Sequence, residues 1–415
     1  MNLKSRSGKL VIFPVCLTVL TAFLSMSFYI KSEVHQSTVS NMYTDKLSPS
    51  REPPGGIPRG KTPQFVLLGF DDNGYSGANG SGGLTWLLDF LDTQNNPKGQ
   101  GNPDTHDGNK VSVSFFFSTI YAADWIYESP VNIKKTWHRA MEAGHETGLH
   151  SHSHLHGISF TESQWNDEIL LSRQVLTKDF RPDEPVFEPD VNAGIGVSVK
   201  DIYGWRSPFL EYNNKLFRAL KKNQLVYDCS IEEGWQPDQN GTDFFWPYTL
   251  DEGSPGNREF ARFNNRELMV RTPGLWEIPV YVLLAPPDED CEKYGVPSGL
   301  RAKLKGNNED FQMDQGKITG VDYNLWFEYG MSKDEFLAVL KYTFDQHFNG
   351  NRAPFIFLGH TDYYSGDNPI EGKTTFQERQ LAIEEFISWV LSKEEVRIIS
   401  HRQLIDWMND PVSLN

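Results

Sequence analysis

The sequence of 415 residues predicts an α/β fold in which a parallel (β/α) sheet curls into a distorted barrel. Three observations predict it. Short apolar runs rich in β-branched and aromatic residues alternate with longer amphipathic ones. Seven or eight such units follow one another from Gln64 onward, which favours a barrel over an open sheet. Polar residues of catalytic type also recur at the C-terminal ends of the apolar runs, where parallel barrels gather their chemistry: Asp71 and Asp72, His150, Arg206, Asp228 and His360.

In chain order, Lys4, Arg6 and Lys9 precede an uncharged apolar run over residues 10–30, closed by Lys31. That is the form of an export signal, at the threshold length of a membrane span. With only Ser25-Met26-Ser27 as a cleavage candidate, residues 1–31 read as a signal peptide or an N-terminal membrane anchor, the anchor being favoured and the bulk of the chain outside. Residues 32–62 turn polar and then rich in Pro and Gly (SPSREPPGGIPRGKTP), a linker, and residues 63–415 form one catalytic domain. Its strands are predicted in QFVLLGF, VSVSFFFS, ETGLHS, DIYGWRSP, LVYDCSI, LWEIPVYVL, APFIFLGH and VRIIS. Helical patterns lie between several of them, among them VNIKKTWHRAMEA, NKLFRALKKN, KDEFLAVLKYTFDQHF and FQERQLAIEEFISWVL.

Composition excludes one class of partner. With 55 acidic against 39 basic residues and a net charge of −16, the chain is unsuited to nucleic acid. Aromatic residues make up 13%, including 11 Trp, and flat apolar rings are what a sugar-handling protein needs for stacking. Trp205, Tyr212, Trp235, Trp246 and Trp276 flank the polar segments and are the candidates, Trp246 in FFWPYTLD being preferred; burial in the core is the alternative for each. Cys16 lies in the N-terminal apolar run. Cys229 and Cys291 could pair as a disulfide in an oxidising compartment, which the sequence leaves open.

Five of the eleven histidines, His145, His150, His152, His154 and His156, fall within twelve residues, the composition of a divalent-metal site or of a solvated surface tract. The paired carboxylates of QFVLLGFDDN favour the metal. The segment F-D-D at Phe70 to Asp72, preceded by Gly69, is followed by H-S-x-x-H, which fits at both His150/His154 and His152/His156. R-x-P follows at Arg206-Ser207-Pro208 within GWRSPFL, and later come YDCSI, WPYTLD, PGLWEIP, NRAPFIFLGH and RQLIDWMNDP.

These motifs resemble those of the polysaccharide deacetylase family, whose members share a NodB-like distorted barrel, and within it the insect-type chitin deacetylases. The resemblance spans about residues 64–410. It departs at Gly69, where the family carries a hydroxyl residue, at Phe357 in the final L-x-x-H motif, and at Thr361, Asp362 and Tyr363, which replace small and aromatic residues. In the family the G-H-E triplet, here Gly144-His145-Glu146, sets the register of the histidine motif, which selects His150 and His154 as metal ligands beside Asp72.

One carboxylate and two imidazoles leave a divalent ion open to water and substrate, as a catalytic site requires. Zn²⁺ is the default by ligand type, with Co²⁺, Ni²⁺ or Mn²⁺ also compatible. Asp71 serves as general base and His360 as the acid that protonates the leaving amine. The resemblance implies that Arg206 orients Asp71, that the backbone N–H of Phe209 supports the oxyanion, and that Asp228 orients the acid histidine or the arginine unless it only caps a turn. His145 reads as a structural residue, and His152 and His156 as rim or solvent residues.

The function expected is a metal-dependent hydrolase that removes N-acetyl groups from a glycan containing N-acetylglucosamine, chitin or chitin-like, releasing acetate. Peptidoglycan or an exopolysaccharide is the alternative substrate, and a non-catalytic carbohydrate-binding or matrix-organising protein on the same fold is the alternative class. A 2-His-1-carboxylate iron oxygenase would show H-x-D before a distant His, and a metallopeptidase H-E-x-x-H, and neither occurs. The protein is expected to be an exported monomer, extracellular or periplasmic, touching a membrane only through its N-terminal segment.

Overall fold

The computed structural model describes residues 46–264 and 267–414. The apolar run at 10–30, Cys16 and residues 32–45 of the expected linker lie outside them. The strands, in chain order, are β1 (Gln64–Asp72), β2 (Ser114–Phe117), β3 (Glu146–Leu149), β4 (Gly204–Trp205), β5 (Tyr227–Asp228), β6 (Glu232–Glu233), β7 (Tyr248–Thr249), β8 (Trp276–Glu277), β9 (Val280–Tyr281), β10 (Leu283–Leu284), β11 (Lys317–Ile318), β12 (Phe355–His360) and β13 (Val396–Ile398). The main sheet runs β12-β1-β2-β3-β4-β5-β8-β7, and every pairing in it is parallel except β7 with β8. β13 joins the N-terminal end of β1, opposite Val66's other partner Phe355 in β12.

All eight runs expected to be strands therefore contribute to one parallel array. It curls into a half-barrel, with no pairing between β12 and β7 among the described residues. The run LWEIPVYVL is one strand in the sequence pattern and three in the structure. Pro279, which has no N–H to donate, separates β8 from β9. Beyond it β9 pairs with β6 instead, and Val280 packs with Leu210, Leu358 and Val321 between β12 and the far strands.

The longer helices are α1 (Gly83–Asp92), α2 (Pro130–Glu142), α3 (Glu162–Thr177), α4 (Asn214–Lys222), α5 (Pro255–Asn264), α6 (Leu300–Asn307), α7 (Lys333–Asn349), α8 (Phe376–Leu391) and α9 (His401–Asn409). Their starts are written locally. Thr161 with Gln164, Ser332 with Glu335, Thr375 with Glu378 and Ser400 with Gln403 form capping boxes, in which each side chain satisfies a backbone N–H of the other's turn. In α7 the buried positions Phe336, Leu337, Leu340 and Phe344 recur at helical spacing and form its apolar face, while Lys333 pairs with Glu385 and Lys341 lies over Trp389, both on α8.

Residues 46–62, which composition reads as linker, lie against the domain. Thr249 N–H donates to Leu47 O at 2.9 Å and Trp246 N–H to Ser50 O at 2.8 Å, so this segment covers the exposed edge of β7. Arg51 pairs with Asp238 and Asp243, and its carbonyl accepts from Asn351. Among the described residues no helix is long and apolar enough to cross a membrane.

Two groups of sequence expectations are corrected. Trp205, Tyr212, Trp246 and Trp276 are buried and cannot stack on a sugar. Their polar atoms are satisfied internally: Trp205 Nε1 donates to Ser207 Oγ (2.9 Å), Trp246 Nε1 to Asn351 O (3.3 Å), and the Tyr212 hydroxyl accepts from Asn257 (3.2 Å). Trp and Tyr carry so much apolar area that the core claims them first. Cys229 and Cys291 are both free and buried, so the disulfide is absent. The Cys229 thiol, at the end of β5, donates to Trp205 O, and that of Cys291 faces Pro286 O on a separate short helix.

Beside β7 the carboxyl of Glu233 is buried. Burial raises its pKa to about 7, against the pull of hydrogen bonds from Gln236, the N–H groups of Gly234 and Gly256, and Tyr248. The folded chain thus keeps a proton that the unfolded chain releases above about pH 4.5. Stability from this group is full below that pH and is lost as pH rises towards 7. Thermal melts of Glu233→Gln should therefore depend less on pH between about 5 and 7 than those of the parent chain. Equal slopes for the two proteins would exclude Glu233 as the titrating group.

Candidate active site

β1 carries the first two site residues off its C-terminal end. Asp71 still lies in register between His360 of β12 and Phe116 of β2, whereas Asp72 and Asn73 take left-handed backbone angles, φ 63° and 64°. Asn73 makes this turn affordable: it is among the residues that tolerate that region, and its amide donates to Phe70 O at 2.9 Å. Segment 361–362 latches the turn from outside, with Thr361 Oγ1 donating to Asn73 Oδ1 (2.9 Å) and Tyr75 N–H to Asp362 Oδ1 (3.2 Å). Ser151, His154, Phe209 and Leu210 also have positive φ, so backbone strain gathers around one cleft. Such strain persists only where surrounding structure over-determines it, and it concentrates at functional sites.

Asp72, His150 and His154 each offer a ligand atom, all within 4.8 Å of one another. His154 Nε2 lies 3.3 Å and His150 Nε2 3.9 Å from Asp72 Oδ1. His150 Nδ1 meets Arg206 O at 2.9 Å, so it carries the proton and leaves the Nε2 lone pair for a ligand. Burial opposes the charge on Asp72, yet His154, His150, His360 and the Ser118 hydroxyl hold its carboxyl below the usual range. Burial lowers the pKa of His150, keeping it in the neutral form that binds metals. One carboxylate oxygen and two ring nitrogens with an open side fit a divalent ion of the zinc type.

The other half of the β1 carboxylate pair has a different partner. Asp71 Oδ1 accepts from Arg206 Nη1 at 2.9 Å, and the guanidinium has no exposed surface. Arg206 Nε donates to Cys229 O (3.1 Å), its plane lies 4.3 Å from the centroid of Phe116, and Nη2 meets His401 Nε2 at 3.3 Å. Burial holds His401 neutral. Its Nδ1–H faces Ser114 Oγ, which itself donates to Glu146 Oε2, so the Nε2 lone pair is the acceptor for Arg206. Burial works against the charge of Arg206, but Asp71 outweighs it and raises the guanidinium pKa further. Gly69 is part of this fit. A Cβ there would stand 2.6 Å from Arg206 Nη1 and 3.2 Å from His401 Cε1, which explains why a hydroxyl residue is missing at that position.

His360 ends β12 on the same cleft. Asp322 accepts from its backbone N–H at 2.9 Å and from Nδ1 at 2.8 Å, leaving Nε2 to face the cleft. Burial disfavours its charge, but Asp322 prevails, and the pKa is pushed up to about 10. A dication on the neighbouring triad repels that proton and would bring the value back towards neutrality. Asp228, expected to orient His360 or Arg206 unless it only caps a turn, bonds to neither and is a turn cap. Its carboxylate accepts from Ser230 N–H (3.0 Å) and Oγ (2.8 Å), and burial raises its pKa to about 6. Asp322 does the orienting that Asp228 was expected to do.

The cleft, about 550 Å³, is lined by Asp71, Asp72, His150, His154, His360 and Phe209 together with the aromatic rings of Tyr323 and Tyr363 and an apolar floor of Leu210, Val321 and Leu358. Phe209 stands at its lip, half exposed, with its ring edge-on to His154. Of the other three clustered histidines, His156 stays at the rim, stacked on Phe209 at 3.9 Å with Nδ1 on Glu211 (3.1 Å), while His152 Nδ1 is held by Thr119 (3.0 Å) and His145 Nδ1 accepts from Val113 N–H. Sequence reasoning missed Asp322 and His401. Asp322 sits in no motif and reaches His360 because Val321 bridges to Leu358, a contact with no sequence signal. For His401 the capping box Ser400-x-x-Gln403 marks a helix start, but nothing there points to Arg206.

No family model matches the sequence. Chitin deacetylase 8 of Bombyx mori is 23% identical over 96% of this chain and 85% of its own length. Chitin deacetylase 1 of Bombyx mori is 21% identical over 86% of this chain, which spans only 53% of that relative. A solved structure of a polysaccharide deacetylase from Mycobacterium smegmatis superposes with a TM-score of 0.47 at 17% identity, covering 88% of this chain and 95% of that one.

Metal titration separates the histidines. His150→Ala or His154→Ala should weaken divalent-metal affinity by roughly 100-fold or more, while His152→Ala and His156→Ala change it little. Metal content after dialysis gives the answer, and equal losses for both pairs would reject this ligand set. Gly69→Ala forces the buried guanidinium aside and should cost about 2–5 kcal/mol in denaturant unfolding.

Proposed function

We propose, for a chain that belongs to the NodB-type polysaccharide deacetylases and is similar to the insect chitin deacetylases, that it is a metal-dependent N-deacetylase of glycans containing N-acetylglucosamine, chitin or a chitin-like polymer foremost. One observation carries the reading. A carboxylate oriented by a buried guanidinium and an imidazole oriented by a buried carboxylate border the cleft that holds the Asp72, His150 and His154 ligand set.

A divalent ion held by Asp72, His150 and His154, Zn²⁺ by default and Co²⁺, Ni²⁺ or Mn²⁺ by the same ligand chemistry, supplies Lewis acidity for the amide carbonyl and the attacking water. The protein's own groups do the rest. Asp71 accepts the water proton as its oxygen bonds to the carbonyl carbon. Arg206 keeps Asp71 aimed, since its guanidinium is fixed on three further sides by Cys229 O, His401 and Phe116. The N–H of Phe209 is the donor for the developing oxyanion. His360 gives its Nε2 proton to the leaving nitrogen while Asp322 holds Nδ1, because an amine departs poorly without that proton. The C–N bond breaks, and acetate and a free glucosamine amine leave. The apolar floor of Leu210, Val321 and Leu358 suits the acetyl methyl, and the rings of Tyr323, Tyr363 and Phe209 suit the sugar. The apolar run at 10–30 makes the protein exported or membrane-anchored, so it meets its glycan outside the cell.

Acetate release from chitin oligomers, peptidoglycan and exopolysaccharide by the metal-loaded protein tests the reaction and ranks the substrates. Asp71→Asn should lower turnover by about 10²- to 10⁴-fold. No release from any of the three with metal at full occupancy would exclude the enzyme. Asp322→Asn removes what raises the His360 pKa, so the alkaline limb of its kcat/KM profile should move to lower pH; an unmoved limb would show that another group is the acid.

A further inference from the structure

Outside the cleft, one exposed surface is aromatic and rigidly built. Trp125, Ile126 and Tyr127 on the loop before α2 are 48%, 44% and 51% exposed, and Phe187 on the loop after α3 is 84% exposed. The Trp125 and Phe187 rings lie nearly parallel, 6.3 Å apart and tilted by 17°. Single exposed apolar residues are ordinary, whereas a contiguous apolar patch marks a site of interaction.

These two loops are held by costly interactions. The Phe187 loop is anchored at its base by the ion pair of Lys134 and Glu184, whose side chains are 2% and 3% exposed. Lys134 also donates to Asp190 O, and the Asp190 N–H to Glu184. Between Pro185 and Pro189 the Glu188 N–H closes a turn on Pro185 O that displays Phe187. Ser129 Oγ, from the Trp125 loop, donates to Val186 O at 2.5 Å and ties the two loops together. Glu128 binds Ser76 through both carboxylate oxygens, which ties the Trp125 loop to the segment after β1. A buried ion pair spends desolvation free energy, and here it braces a surface ring that makes no contribution to the core.

The patch also continues into the catalytic face. Tyr127 stacks on Tyr75 at 4.8 Å and on Tyr121 at 5.2 Å. Tyr75, three residues beyond Asp72, is held through its N–H by Asp362, and Ile120 N–H, next to Tyr121, binds His152 O in the histidine segment. The buried rings of Tyr75 and Tyr121 thus seat the exposed ring of Tyr127, two residues from Trp125, beside Gly74 on the turn that follows Asp72. On these loops Asp124, Asp183 and Glu188 are exposed and acidic, while the exposed Arg181 is already paired with Asp190, a balance that disfavours an anionic partner. A second copy of the chain, at a formal −16, would bring like charge.

We propose that Trp125 and Phe187 form an auxiliary stacking platform for the distal part of the same polysaccharide chain whose proximal sugar enters the cleft. It binds a neutral or amine-bearing glycan polymer too long for the cleft alone. This rests on the glycan reading of the site, and flat rings fixed before binding are the device it uses, because no side-chain freedom is then lost on contact.

The test is sedimentation of the full-length protein with insoluble chitin at low temperature, alongside acetate release from insoluble chitin and from a short soluble chitin oligomer. In Trp125→Ala/Phe187→Ala, particle binding should weaken about tenfold and the ratio of insoluble to soluble activity should fall in parallel. Trp125→Tyr/Phe187→Trp should restore both. Unchanged particle binding would overturn the platform, as would an equal fall on both substrates or failure of the aromatic replacements to rescue. A dimer in analytical ultracentrifugation that the double alanine variant dissolves would overturn it in favour of self-association. Particle binding is measured without turnover, so absence of acetate release from every substrate would instead count against the deacetylase reading.

Discussion

Everything at this centre hangs on one buried ion pair, Asp71 with Arg206. Arg206 has no exposed surface and Asp71 meets solvent only where it lines the cleft, and a charge so placed is tolerable only with its partner and with the remaining donors satisfied. The guanidinium meets that condition through Cys229 O, the neutral His401 and the face of Phe116. Behind His401 the network continues through Ser114 to Glu146, which Tyr227 and the Arg402 N–H also satisfy. Five separate strands or helix starts are therefore tied to one carboxylate oxygen, and the orientation of Asp71 is a property of the whole half-barrel.

The same pair explains how adjacent carboxylates can do different work. Asp71 is committed to Arg206, while the left-handed turn at Asp72 swings the next side chain towards His150 and His154. Two like charges side by side would repel. Here each carboxylate has its own partners, Arg206 for Asp71 and the two histidines for Asp72. Asp362, the third carboxyl nearby, takes the other course: burial raises its pKa to about 8, with the charge of Asp72 adding to the effect, and it acts as an acceptor for the turn at Tyr75.

Aromatic residues divide in an instructive way. The tryptophans closest in sequence to the motifs are core, because motif-bearing strands are buried on both faces in a parallel sheet. Those on display sit on loops with weak local pattern, where only bracing by Lys134, Glu184 and Glu128 makes their exposure persistent. Proximity to a motif in the sequence was thus a poor guide to which ring is left exposed.

By itself the sequence determined what is local. Strand and helix periodicity located all eight parallel strand segments, capping boxes wrote the helix starts, and the F-D-D, H-S-x-x-H and R-x-P motifs, in the register that the family resemblance implies, named residues that meet at the cleft. Tertiary structure decided what is distant. Asp322 rather than Asp228 holds His360, His401 rather than any motif residue braces Arg206, Cys229 and Cys291 stay apart, and residues 46–62 seal a sheet edge. The physical reason is common to all four: each depends on atoms separated by tens to hundreds of residues that meet only once the sheet has curled, and no periodicity or spacing in one chain encodes such a meeting.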